Sequence, residues 1–138
     1  MRDTIVDLPD IPVMYVAGEA GSPIAEQAPK AMRALEAQLG SLKHRRFYGV
    51  GVGTAAGDEY RACVALDAGN DLATSSLARW TIPGGRYARR RIADWEQKIA
   101  LIAPTFADLR ARHEVDPTRP WIEFYRSQRV LLVMVPVR

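Results

Sequence analysis

Apolar aromatic and β-branched positions dominate Trp121-Ile122-Glu123-Phe124-Tyr125-Arg126, which predicts a β-strand led in by Pro117 and Pro120. Successive side chains point to opposite faces of a strand, so Trp121, Glu123 and Tyr125 share one face and Ile122 and Phe124 the other. Further strands are expected at Ile11–Gly18, Phe47–Gly53, Glu59–Asp67, Arg86–Ile92 and Val130–Val137. Within Glu59–Asp67 the apolar members are Tyr60, Ala62, Val64 and Leu66. Leu77–Ile82 is extended and apolar until Pro83-Gly84-Gly85 breaks it. A polar loop, Ala68-Gly69-Asn70-Asp71, separates the two halves.

Two stretches have helical periodicity instead. Ile24, Ala28, Ala31, Met32, Leu35 and Leu39 recur at three and four, with Ser22 as N-cap, Pro23 at the first helical position and Gly40 as the stop. Pro29 either begins the regular part of that helix or kinks it. Trp95–His113 reads as a second helix with Ile99, Ile102, Phe106 and Leu109 on its stripe.

Ile24-Ala25-x-x-Ala28-Pro29 recurs as Ile99-Ala100-x-x-Ala103-Pro104, an offset of 99 − 24 = 75. Around each copy the order is strand, helix, strand, strand. The expected fold is therefore α+β: two pseudo-symmetric modules forming one antiparallel sheet, helices on one face, and a ligand cleft between the modules. The chain is expected to be a single domain over 1–138, with modules at about 11–67 and 77–137. An offset of 75 pairs Tyr48 with Glu123 and aims Tyr48 into the cleft, whereas the alternation Tyr48, Val50, Val52 places it in the core. A slip of one residue reverses the face, so both positions stay open.

Composition narrows the chemistry. Of 138 residues 48% are apolar and 25% charged, and no apolar run approaches the length of a membrane span. The N-terminus has no apolar segment of a secretory signal, and Cys63 is the only cysteine, so a cytoplasmic location is expected. Two histidines and one cysteine argue against a metal site, and no cofactor motif is present. The net charge of +3 comes from arginine, concentrated in Arg86–Arg91 and Lys43–Arg46. No DNA-binding motif accompanies these runs or precedes Ile11, so a protein partner at the Arg86–Arg91 edge is the alternative to a solvated one.

The chemically notable residue is Glu123. A carboxylate between aromatic walls costs several kcal/mol unless it is paired, hydrated or neutralised. Arg61, Arg126 and Arg129 are the available salt-bridge partners, and a cationic ligand is the competing one. The ligand walls would be Trp121, Tyr125, Trp95 and Tyr60, with Tyr48 or Phe47 according to register. Gly49, Gly51 and Gly53 leave one strand face bare, which admits a ligand or close packing. They are not a dinucleotide loop, because Thr54 and Ala56 break the glycine pattern and a strand follows. Cys63 reads as a structural thiol, and Ser22 and Ser127 as cap and turn residues.

Ile82-Pro83-Gly84-Gly85-Arg86-Tyr87-Ala88, Ile122-Glu123-Phe124-Tyr125 and Met134-Val135-Pro136-Val137 resemble the GyrI-like small-molecule-binding domain. Tyr48-Gly49-Val50 and Tyr60-Arg61-Ala62-Cys63-Val64 are similar to its earlier strands, so the resemblance spans about Ile11 to Val137. It implies two strand–helix–strand–strand modules and a stand-alone protein that takes amphipathic aromatic or cationic compounds, as in drug or toxin sensing. In that family a cleft glutamate meets the cation, and Glu123 stands at the matching position. Alternatives within the resemblance are a hydrolase of electrophilic cyclopropane-bearing toxins, with Glu123 as general base beside Tyr125 or Tyr60, and a gyrase-type interaction inhibitor.

Overall fold

The computed structural model describes residues 3–66 and 76–138. The end of the Glu59–Asp67 strand and the loop Ala68–Asp71 lie outside the described residues. The chain runs β1 (Thr4–Leu8), β2 (Ile11–Ala17), α1 (Ile24–Ala37), β3 (Phe47–Thr54), β4 (Gly57–Ala65), β5 (Ala78–Ile82), β6 (Gly85–Ala93), α2 (Ile102–Arg112), β7 (Trp121–Tyr125) and β8 (Val130–Pro136). The strands form one antiparallel sheet in the order β1-β6-β8-β7-β3-β4-β2-β5. The α+β architecture with both helices on one face is as expected.

Each half gives its first strand to the other. β1 pairs with β6 and β5 with β2, which ties the halves together at both ends of the sheet. Thr4–Leu8 does not alternate cleanly and its partner lies in the other half of the chain, so no local signal marks it as a strand.

The halves are related by an offset of 74 in these strands. Thr4↔Arg89 maps onto Tyr15↔Ala78 (4 + 74 = 78; 89 − 74 = 15), and Phe47↔Tyr125 maps onto Gly51↔Trp121. The pair Gly49↔Glu123 maps onto itself, so the pseudo-twofold axis passes between these two residues. The helix motif alone gives 75, because its two copies differ locally. Ile24 opens α1, whereas Ile99 sits in a 3-10 turn and is 61% exposed. The segment read as one helix from Trp95 is two 3-10 turns, Trp95–Gln97 and Ile99–Leu101, before α2 starts. Lys98, at φ −131°, interrupts the helical path between them. In α1, Pro23 takes the N-cap position and Ser22 lies one residue outside, Pro29 lies within the helix, and Gln38 caps the end two residues before Gly40.

Alternation decides which side chains meet which core. Tyr60, Ala62 and Val64 of β4 pack under α1 with Leu35 and Ala31. Leu131, Val133 and Val135 of β8 pack under α2 with Phe106 and Leu109. On the opposite face Ile11, Val13, Ile82, Tyr87 and Met134 join Val50 and Ile122 in one cluster. Side chains from both outer strands and the sheet centre meet there, which requires the sheet to curl into a half-barrel.

Candidate functional site

β7 and β3 lie side by side at the centre of the sheet, where neither helix covers them fully. Glu123 emerges on the helix-side face and is 6% exposed. Its Oε1 accepts a hydrogen bond from the Tyr125 hydroxyl at 2.8 Å and one from the Tyr60 hydroxyl at 3.1 Å. The two hydroxyl oxygens are 3.3 Å apart. Burial raises the carboxyl above its ordinary value of 4.5, and the two tyrosine hydrogen bonds offset only part of that rise. Burial and the adjacent Glu123 charge push both phenols upward, so Tyr60 and Tyr125 stay protonated donors.

Among the described residues no cation pairs with Glu123. Arg61 lies on the opposite face, where it binds Glu59 at 2.7 Å and stacks 4.6 Å from both the Tyr15 and Trp80 rings. Arg126 and Arg129 are exposed beyond the strand end and make no ion pair with it. The salt-bridge reading of Glu123 is therefore overturned.

Trp121 is half-buried and joins the clusters beneath both helices. Its ring packs 5.0 Å from Phe106 and 6.2 Å from Tyr60. Trp95 meets Tyr125 edge-on at 5.1 Å, and its indole N–H donates to the Ser127 carbonyl at 3.0 Å. The structure thus brings Glu123, Tyr125, Tyr60, Trp121 and Trp95 into one aromatic-walled group. Phe47 shares their face but packs under α1. Tyr48 does not join them: it lies on the curled face, 3% exposed, stacked on Phe124 at 4.7 Å. The strand register of 74, not 75, is the reason.

The bare glycine face is filled by side chains. A Cβ at Gly49 would overlap the Tyr60 hydroxyl and Glu123 Oε1, and one at Gly51 would overlap the Trp121 ring, while Gly53 faces open space. Sequence reasoning missed two supports. Phe106 was legible only as helix stripe, yet it backs Trp121. Gln27, also on the α1 stripe, is buried and accepts from the Tyr60 backbone N–H at 2.8 Å. It donates to the Ser22 and Asp58 carbonyls at 2.7 and 2.9 Å, which fixes β4, and so Tyr60, against α1. A groove of about 310 Å3 lies beside Gln27, between α1 and β2.

The Arg86–Arg91 run is not a free sheet edge, because β6 lies between β1 and β8. Arg90 is buried, with its Nε donating to Asp3 at 2.8 Å and its Nη1 to Asp108 at 2.7 Å. Asp3 also meets His113 Nε2 at 2.8 Å. Buried Cys63 has its thiol pushed up by burial, out of the nucleophilic range. Among the described residues no group of His, Cys, Asp and Glu is arranged to hold a metal ion, and no helix is long and apolar enough to cross a membrane.

No family model and no curated protein matches the chain. Solved structures do. An integron cassette protein from the mobile metagenome of Vibrio cholerae, VCH_CASS2, superposes with a TM-score of 0.75 at 12% identity, over 99% of this chain and 95% of that one. SAV2435 bound to tetraphenylphosphonium gives 0.64 at 14% identity, over 100% and 94%. A hydrolase from Listeria innocua gives 0.58 at 12% identity, over 99% and 92%. At these identities the likeness is one of fold, and the fold agrees with the one that the GyrI-like resemblance implies.

Proposed function

We propose that the protein is a GyrI-like module that binds amphipathic aromatic cations, with Glu123 as the counter-charge. The observation that carries this reading is a buried carboxylate with two hydroxyl donors and no cation among the described residues. An ionised carboxylate in that setting lacks a positive partner, and a ligand cation supplies it. Trp121, Tyr125 and Trp95 add aromatic surface, worth about 2 kcal/mol or more to a desolvated cation. The tetraphenylphosphonium bound to SAV2435 is a ligand of this chemistry on the same fold.

Titration with tetraphenylphosphonium or a cationic dye tests the reading. Losing one partner of a buried charge pair costs about 2 kcal/mol or more, so Glu123→Gln weakens binding about 30-fold. In the native protein the ionised carboxylate is the binding form, so affinity rises with pH through the raised Glu123 value and levels off above it. Unchanged affinity in Glu123→Gln, or a pH profile that it leaves intact, rules the reading out.

A second reading rests on one detail. Both tyrosine hydroxyls use Oε1, so Oε2 has no hydrogen-bond partner among the described residues. A carboxylate with a raised pKa and a free oxygen fits a general base on water, and a protonated tyrosine would donate to the developing anion. A hydrated product from an electrophilic cyclopropane-bearing compound, absent with Glu123→Gln, supports hydrolysis. No turnover above buffer removes that substrate class.

A further inference from the structure

Trp121 also lines a cavity of about 740 Å3, together with Gly51, Gly53, Asp58 and Arg110 and with Trp80 from the curled face. That volume is in the range of drug-sized ligand sites. Trp121 is the shared wall. It stands two residues from Glu123 on the same strand face, about 7 Å along the strand, so one aromatic molecule can reach both sides of it.

Arg110 distinguishes this cavity. The arginines around it are neutralised: Arg112 and Arg90 by Asp108, and Arg119, which also lines the cavity, by Asp116. Arg110 has no carboxylate partner among the described residues. Its guanidinium sits 5.5 Å from the Phe106 ring centroid, and Phe106 packs 5.0 Å from Trp121. The aromatic row therefore holds the guanidinium plane while its N–H fork stays unused by the carboxylates of the described residues. A stacked guanidinium loses little freedom on binding a carboxylate, which it matches in bidentate geometry. Asp58 lines the same cavity, and its side chain has no ion pair among the described residues either. A purely anionic ligand meets repulsion there, whereas a molecule with both charges does not.

We infer that this cavity is a second subsite for the same ligand, in which Arg110 receives an anionic arm. The ligand class is thereby narrowed from aromatic cations to aromatic zwitterions that carry a carboxylate or sulfonate. The inference rests on the proposed role of Glu123, but it fails separately.

Tetramethylrhodamine and its methyl ester form a matched pair of probes, because the ester removes only the carboxylate. Fluorescence anisotropy is read for the native protein, Arg110→Gln and Glu123→Gln. The native protein binds the free acid about fivefold more tightly than the ester. Arg110→Gln abolishes that preference by weakening the free acid. Glu123→Gln weakens both probes. A preference that persists in Arg110→Gln, or equal weakening of both probes by it, overturns the role of Arg110. Indifference of both probes to Glu123→Gln overturns the cation reading instead.

Discussion

The two strands that meet at the pseudo-twofold axis occupy equivalent places and carry opposite endowments. At the offset of 74, Phe47 corresponds to Trp121, Gly49 to Glu123 and Gly51 to Tyr125. β7 supplies an indole, a carboxylate and a phenol on the helix-side face, and β3 supplies one phenyl ring and two bare positions. The difference follows from the axis itself. A glutamate at both central positions would set two carboxylates directly opposite each other, with Cβ atoms about 5 Å apart. Like charges at that distance cannot both ionise in a buried site. Volume gives the same answer, because the Trp121 ring lies over Gly51 and the Tyr60 and Glu123 oxygens lie over Gly49. A symmetric scaffold can thus hold one buried acid at its axis only if one strand is emptied to make room.

The largest effect is expected from refilling the emptied strand. Gly49→Ala places a methyl group against the Tyr60 hydroxyl and Glu123 Oε1, both held in packed surroundings. Overpacking of this kind costs about 3 kcal/mol, and cation binding falls with it. Gly53→Ala is the internal control, since a Cβ there meets no atom within 4 Å. Thermal denaturation of the two variants measures the contrast. Equal melting temperatures would mean that the bare positions of β3 are incidental.

An intermediate effect is expected from removing the charge that the emptied strand accommodates. The folded state binds the Glu123 proton more tightly than the unfolded chain does, since burial raises its value above 4.5. Below that value both states are protonated and the residue carries no penalty. As pH rises through the folded value, ionisation inside the fold becomes a cost. Without ligand, Glu123→Gln is therefore more stable than the native protein at pH 7, by about 1.4 kcal/mol for every tenfold by which folding tightens the hold on that proton. The gain disappears below about pH 4, under the ordinary glutamate value. Ligand reverses the order at pH 7, since only the native protein is stabilised by a cation. A native protein more stable than Glu123→Gln at every pH without ligand would mean that the carboxylate is already paired.

Much of this was legible in the residues, and the gaps have physical causes. Alternation in Trp121–Tyr125 gave the correct faces because period-two patterning is a property of the strand alone. The glycines of β3 marked a close approach, but not by what, since Tyr60 and Trp121 arrive from other strands. β1 was invisible as a strand because its hydrogen-bonding partner is β6. For the same reason Arg90 read as part of a basic surface, whereas Asp3 and Asp108 bury it. The internal repeat was real but anchored on its least faithful part. The 3-10 turns before α2 shift the helix motif by one residue relative to the strands, and one residue is enough to exchange the faces of β3.

Tyr48 measures that last point with the smallest expected effect. A register of 75 makes it the counterpart of Glu123 and a wall of the cleft, so loss of its hydroxyl would weaken ligand binding. A register of 74 places it across the sheet, stacked on Phe124, with its hydroxyl accepting a hydrogen bond from Arg46 at 3.2 Å. Tyr48→Phe then leaves cation affinity and its pH profile within about twofold of native, and removes about 1 kcal/mol of stability with the lost hydrogen bond. Phe is the apt replacement because it keeps the ring stack and changes only the oxygen. The same substitution at Tyr125 takes a hydroxyl from Glu123 Oε1 and alters both affinity and profile. Two tyrosines on neighbouring strands therefore give opposite results if the axis runs between Gly49 and Glu123. Equal responses from the two variants would move the axis by one residue and put Tyr48 in the site.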